Sequence, residues 1–304
     1  MTRILKIAVD LIHVISAGTN HIANTAVVTS TEIPITTSSG IHGPTIAEWV
    51  IMTYLVASRK YDTLREWHEK HAWDDVAGGK ALFHTVSDNV SKRLGVLGYG
   101  SIGRQVARVA KALGMDVIVF TANPRDTAES KKDTGFIVPG TGDENGEIPS
   151  AWYSGTDKES LHRFLAQDID HLVVSLPLTS NTKNLLGKEE FEILSKKNAF
   201  LSNIARGEII VQKDLIDALQ AYENDVNGVP GEGRKGLRGA ALDVTTPEPL
   251  PKDDPLWNAP NCIITPHMSA VSKAYAERAL QVLEINLERR ARGEELINLM
   301  KRER

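Results

Sequence analysis

The run Leu94-Gly95-Val96-Leu97-Gly98-Tyr99-Gly100-Ser101-Ile102-Gly103-Arg104 has the composition of a turn that receives a phosphate. A short apolar stretch enters it and an alanine-rich helical pattern leaves it, the context in which G-x-G-x-x-G carries meaning. Gly98 lets the chain turn sharply. Gly100 removes a side chain where a pyrophosphate must approach the backbone, and Gly103 lets the new helix pack close to its strand. The unpaired N–H groups and positive dipole end of that helix would face the phosphates. Further along, Arg206, Glu248 and His267 each stand where an apolar run gives way to a polar segment. A planar cation, a carboxylate and a titratable imidazole can together hold a small anion and move a proton. Taken singly, each has a plainer role as a surface ion pair, a loop charge or a core imidazole.

The elements that must position these groups follow from hydrophobic periodicity. Ile12–Ser16 and Ile33–Thr36 read as short buried strands, and Pro44 opens a helix whose apolar faces include Trp49 and Tyr54. Trp67 and Trp73 lie in a charged, His-rich connection, as surface anchors or as a subunit contact. The glycine turn lies between Leu94–Leu97 and a helix over Ile102–Leu113, with a second strand at Val117–Phe120. Asn123–Gly155 is polar and too long for an ordinary connection, so a surface insertion is expected. Alternation then resumes: helix Lys158–Ala166, strand His171–Leu176, helix Lys188–Leu194, strand Ala199–Asn203, helix Lys213–Tyr222, strand Ala240–Val244 and strand Ile263–Thr265. Asn224–Gly236 is a second, glycine-rich insertion, and a helix over Lys273–Arg292 closes the chain. The rhythm is that of an α/β protein with a doubly wound parallel sheet covered on both faces. In such sheets ligands bind at the carboxyl ends of the strands, so Arg206, Glu248 and His267 can converge on one cleft.

Composition narrows the function classes. The chain has 304 residues, 41% hydrophobic and 24% charged, as in soluble globular proteins of one or two domains. A formal net charge of −4 gives no electrostatic case for nucleic acid or an anionic membrane. A lone cysteine, Cys262 in an apolar run, suits a buried thiol and a reducing, cytoplasmic setting. Arg3 and Lys6 followed by apolar residues imitate a signal peptide, but Asp10 and His13 interrupt the run. No metal site is expected.

The motifs together resemble the D-isomer-specific 2-hydroxyacid dehydrogenase family, especially its glyoxylate/hydroxypyruvate reductase-like members. Gly98–Gly103 resembles the family's nucleotide loop, Ser175-Leu176-Pro177-Leu178-Thr179 its cofactor-side LPLT segment, and Asn203–Gly207 the segment with the catalytic arginine. Ala241-Leu242-Asp243-Val244 with Glu248-Pro249 resembles the glutamate segment, and Thr265-Pro266-His267 the histidine segment. The resemblance implies a Rossmann domain over 45–271. It also implies a second, smaller and incomplete flavodoxin-like substrate domain over 1–44, to which the C-terminal helix in 272–304 returns. It implies that Arg206 holds the substrate carboxylate and polarises the C2 oxygen, that His267 exchanges a proton with that oxygen, and that Glu248 orients the imidazole and favours its charged form. Ala17 and Gly18 would bind the carboxylate through their backbone. The cofactor, NADP or NAD, would lie against Gly98, Tyr99, Gly100, Ser101, Ile102, Gly103, Thr121, Asn123, Arg125, Leu176, Pro177, Thr182, Ile204, Ala205, Asp243 and His267. A homodimer pairing through the Pro44 helix is expected, with a small 2-oxoacid or 2-hydroxyacid as substrate and no membrane or nucleic-acid partner. Formate dehydrogenases of the family carry glutamine where Glu248 stands, so the glutamate favours a 2-hydroxyacid enzyme.

Two departures bear on function. NAD-preferring members carry an acidic residue where Thr121 ends the second strand. With Thr121, Asn123 and Arg125 there instead, NADP is the expected cofactor. The chain also reaches the Ala17-Gly18 loop almost at once, so the opening strands of the substrate domain are expected to be missing. Two further readings remain at this point: a dinucleotide-sensing binding protein like the C-terminal-binding-protein corepressors, and a remnant that binds cofactor without turnover.

Overall fold

Short β-branched runs pair first in the chain: β1 (Ile12–Val14) and β2 (Ile35–Thr37) form a two-stranded parallel sheet. The computed structural model describes residues 9–19, 21–73, 85–225, 234–300 and 302. Between β1 and β2 lies a single helical turn, α1 (Ala26–Thr29), and beyond them α2 (Gly43–Ser58), with Pro44 in its first turn, and α3 (Tyr61–Glu69).

The glycine turn sits inside the main sheet. β3 (Arg93–Leu97) enters it, α4 (Ser101–Ala112) leaves it, and β4 (Asp116–Thr121) follows. Then come α5 (Ala128–Lys131), β5 (Ala151–Ser154), α6 (Lys158–Leu165), β6 (His171–Val174), α7 (Lys188–Ser195), β7 (Phe200–Asn203), α8 (Gln212–Asn224), β8 (Gly239–Leu242), β9 (Cys262–Ile264) and α9 (Tyr275–Ala291). The strands are parallel in the order β5-β4-β3-β6-β7-β8-β9. Direction of winding reverses at β3, which pairs with both β4 and β6. That reversal leaves a crevice beyond the carboxyl end of β3, where the glycine turn lies.

Each face of the sheet carries its own core, as expected for strands that are apolar on both sides. Leu97, Phe120, Phe164, Leu172 and Leu201 belong to one, and Val50, Val96, Val106, Val119 and Val173 to the other. α2 contributes Trp49 and Tyr54 to the second face. Tyr54 stacks on His171 at 4.3 Å and meets Phe200 edge-on. These two aromatics therefore pack within their own chain, and the subunit surface expected from them is not there. α3 has no buried residue; Trp67 lies along it and is half-buried, while Trp73 is 95% exposed.

Asn123–Gly155 is not a simple surface insertion. It ends in the edge strand β5, paired with β4, and it buries Asp143. The Asp143 carboxylate accepts the Tyr99 hydroxyl at 2.7 Å and the backbone N–H groups of Glu147 and Ile148. Arg104 donates to the carbonyls of Asp143 and Lys131. No periodic pattern marks such a segment, because side chains from α4 and the glycine turn hold it in place. Of the second expected insertion, residues 226–233 lie outside the described residues. The C-terminal end returns to the small sheet: Met300 N–H donates to the Ile35 carbonyl at 2.8 Å, and the Asn298 amide donates to the carbonyls of Thr37 and Ser39.

Candidate active site

Gly98 adopts φ +100°, and a Cβ there would stand 2.6 Å from the Ser175 carbonyl oxygen. A Cβ on Gly103 would lie 2.4 Å from the Gly98 oxygen, so the start of α4 can touch β3 only if that residue is glycine. At Gly100 a Cβ would meet nothing within 4 Å. Gly100 therefore borders open space at the start of α4, where the first-turn N–H groups lack partners within the helix, the arrangement that can receive a pyrophosphate. The Tyr99 ring is turned away, buried against Trp152 and hydrogen-bonded to Asp143, and burial raises its phenol far above the usual range. Tyr99 thus has its backbone, and not its ring, to offer a dinucleotide.

The end of β4 is shaped by its own polar groups. Thr121 Oγ1 donates to the Asn123 carbonyl at 2.8 Å, and Arg125 Nη1 donates to the Ser130 carbonyl at 2.6 Å. Asn123 and Arg125 are exposed, and Arg125 makes no ion pair with Asp126 among the described residues. After β6, Leu176 and Pro177 stand at the crevice rim, outside the strand, with Leu176 half-buried. Thr182 Oγ1 donates to the Pro177 carbonyl at 2.7 Å and accepts from Thr179 N–H, closing the loop on itself.

At the end of β7 the chain runs through buried Ile204 and Ala205 to Arg206. Asn203, 1% exposed, staples this loop: its side-chain oxygen accepts from Ala205 N–H at 3.1 Å, and its amide donates to the Arg206 carbonyl at 3.0 Å. The Arg206 guanidinium donates to the Ala205 carbonyl and has no carboxylate partner among the described residues. Its remaining donors are free for an anion. Gly207 lets the loop meet the next one, since a Cβ there would fall 2.1 Å from the Thr245 carbonyl.

The decisive contact joins the loops after β8 and β9. His267 Nδ1 lies 2.6 Å from Glu248 Oε1, with both side chains near half-exposed. The imidazole N–H donates to the carboxylate at Nδ1, which leaves Nε2 as the nitrogen able to exchange a proton with a ligand. His267 holds φ +53°, in the left-handed region, and its N–H donates to the carbonyls of Asp243 and Thr265. Asp243, 2% exposed, secures the loop further. Its carboxylate accepts from Thr265 Oγ1 at 2.6 Å, Met268 N–H at 2.8 Å, and both the N–H and hydroxyl of Ser269. Asp243 therefore holds the His267 loop. In the sequence Asn203 stands out only as part of a motif; its position as a small polar residue at a strand end was the signal for a loop staple.

Ala17 and Gly18 follow β1, with Ala17 exposed. Among the described residues no hydrogen bond joins them directly to Arg206 or His267. Just ahead of them, the Ile15 carbonyl accepts the hydroxyl of Tyr275, the first residue of α9, at 2.9 Å. Cys262 is not a nucleophile candidate, because burial pushes its thiol up to about 12.

The family profile described as "D-isomer specific 2-hydroxyacid dehydrogenase, NAD binding domain" matches residues 51–139 and 143–269. A glyoxylate reductase of Korarchaeum cryptofilum is 27% identical over 275 residues, 89% of this chain and 70% of the relative. A D-3-phosphoglycerate dehydrogenase of Methanocaldococcus jannaschii is 33% identical over 204 residues, 67% of this chain but 32% of the relative's own length. Among solved structures, a probable 2-hydroxyacid dehydrogenase from Rhizobium etli CFN 42, in complex with NADP, superposes with a TM-score of 0.70 at 26% identity, covering 96% of this chain and 78% of that one. The profile match extends over more than half the chain and takes in the glycine turn and all three strand-end loops, so the chain belongs to the D-isomer specific 2-hydroxyacid dehydrogenase family and carries its NAD binding domain.

Proposed function

We propose that the chain is an NADPH-preferring reductase of small 2-oxoacids such as glyoxylate and hydroxypyruvate. The observation that carries this is the 2.6 Å His267–Glu248 pair, beside a neighbouring strand end that presents Arg206 with no carboxylate of its own among the described residues. The Arg206 fork would grip the substrate carboxylate and draw charge toward the C2 oxygen. His267, oriented by Glu248, would deliver a proton from Nε2 to that oxygen in reduction and take it back in oxidation. The nicotinamide supplies hydride when bound. Ala17 and Gly18 would add backbone donors to the carboxylate, and Leu176, Pro177, Thr182, Ile204 and Ala205 would border the cofactor. Asp243 would act near its nicotinamide end by fixing the loop of His267. Residues 45–271 would form the dinucleotide-binding domain, with 1–44 and the end of the chain, 272–304, on the substrate side. The ties of Asn298 and Met300 to β2 support that division.

The assay is NADPH oxidation with glyoxylate, hydroxypyruvate and bulkier 2-oxoacids. Turnover of the small acids is expected; cofactor binding without turnover of any of them would instead favour a dinucleotide-sensing protein. NADPH should bind more tightly than NADH, because Thr121 supplies no carboxylate to repel a 2′-phosphate and Arg125 can reach one. A charge-assisted contact of roughly 1.5–3 kcal/mol corresponds to a preference of about ten- to a hundredfold. Arg125→Ala should weaken NADPH far more than NADH in the same titration. Equal losses would remove Arg125 from the reading. The Rhizobium etli structure in complex with NADP is in keeping with this choice.

A homodimer is the assembly we favour. Trp49 and Tyr54 are used up inside the chain, but Met52 of α2, Tyr61 and Leu64 of α3, and Trp73 beyond it are exposed apolar residues on adjoining elements. Covering them offers the gain that a buried stripe normally provides. Light scattering at micromolar concentration should give twice the mass of the chain, and Leu64→Glu should shift it to one chain; a monomeric wild type would refute the dimer. No helix among the described residues is long and apolar enough to cross a membrane. A cytoplasmic location suits the lone cysteine.

A further inference from the structure

The amino edge of the seven-stranded sheet, opposite the end that carries Arg206 and His267, holds a cavity of about 490 Å³. Residues just before the strands line it: Lys92 ahead of β3, Asp170 ahead of β6 and Arg238 ahead of β8. Lys60 between α2 and α3, Lys197 and Arg234 complete its cationic wall. The chain as a whole has a net charge of −4, yet this cavity sets five cationic side chains against two carboxylates, Asp170 and Glu223.

The two carboxylates are hydrogen-bonded to neutral donors rather than paired with the cations. Asp170 accepts from the Arg93 N–H at 2.8 Å, and Glu223 accepts from the Asn261 amide at 3.2 Å. No cation of the cavity forms an ion pair among the described residues. The guanidiniums are fixed in advance. Arg238 donates to the Tyr54 hydroxyl and the Asp170 carbonyl, both at 3.0 Å. Arg234 donates to the Tyr222 carbonyl at 2.7 Å with its guanidinium 4.1 Å over the Tyr222 ring. The ammoniums of Lys60 and Lys92 have no hydrogen-bond partner among the described residues, and burial, with Arg238 close by, holds both below the usual lysine range. Glu223 acts on Lys60, and Asp170 and Asp88 act on Lys92, but burial and Arg238 outweigh these carboxylates, so the gathered cations cost stability in the absence of an anion.

We propose that this cavity binds a compact polyphosphate, an anion carrying several phosphoryl charges. Guanidinium forks suit carboxylate and phosphate alike, but here they are spent partly on carbonyl oxygens and a phenol. The unpaired groups are ammoniums, point charges suited to the dense, near-spherical charge of phosphoryl oxygens. The volume lies within the range of small-ligand sites and exceeds the needs of a single phosphate. Because the sheet's whole length separates this edge from the glycine turn, the occupant does not compete with a dinucleotide.

Calorimetric titration of the full chain with inorganic tripolyphosphate, in saturating NADPH, tests the site. Binding is expected in wild type, a loss of tenfold or more in the double variant Lys60→Gln/Lys92→Gln, and recovery to within about threefold in Lys60→Arg/Lys92→Arg, which keeps the charge. Unchanged cofactor affinity in the Gln variant shows that it folds; if it does not, the single variants Lys60→Gln and Lys92→Gln carry the test, each expected to lose about threefold or more. Absence of tripolyphosphate binding at millimolar concentration, equal affinity in wild type and the Gln variant, or displacement of tripolyphosphate by NADPH would each overturn the proposal.

Discussion

Arg206→Gln is expected to lower kcat/KM for a 2-oxoacid by about 10²–10³, the usual cost of removing one preorganised donor from a developing oxyanion. The Asn203 staple sets the loop on which Arg206 stands, and no carboxylate among the described residues competes for its guanidinium. Glutamine keeps much of the stem but neither the charge nor the two-pronged geometry. Both KM and kcat should suffer, because the fork would hold the carboxylate in the ground state and polarise the C2 oxygen in the transition state. NADPH affinity should persist, since the glycine turn lies on β3 and α4. Near-wild-type turnover by this variant would remove Arg206 from the mechanism.

His267→Ala should depress both reaction directions by about 10²–10⁴, the range for loss of a positioned general acid–base group. The backbone of that loop is held by Asp243 and Ser269, so the loss should be chemical, with little change in thermal midpoint. Glu248→Gln separates orientation from proton transfer. It preserves a hydrogen-bond acceptor for Nδ1 but not the charge, and a charge-assisted bond exceeds a neutral one by roughly 1 kcal/mol, so a loss of about fivefold in kcat is expected. Steady-state kinetics in both directions check the pair. A loss in Glu248→Gln as deep as that in His267→Ala would assign Glu248 a larger role than orientation, and an alanine variant active in either direction would exclude His267 as the proton donor.

Much of this architecture is legible in the sequence because its causes are local. Glycine at 98, 100 and 103 is demanded by a left-handed φ, by open space for a ligand and by a close helix–strand approach, all within one turn of chain. Alternating apolar runs and amphipathic stretches mark the parallel strands and their covering helices for the same reason. Strand ends fall where apolar runs stop, so the sequence alone places Arg206, Glu248 and His267 at one end of the sheet. Other features depend on residues far apart in the chain. Whether Trp49 and Tyr54 face a partner or their own core was decided by the packing of α2 on the sheet, which an apolar helix surface leaves open. β5 is four residues long within a polar stretch, and its pairing with β4 and the burial of Asp143 against Tyr99 come from tertiary contacts. The 2.6 Å contact between His267 and Glu248 requires two loops to meet across a register set by β8 and β9. The basic cavity likewise has no motif: its cations come from residue 60 to residue 238, and only parallel strands that all start at one edge bring their charges together.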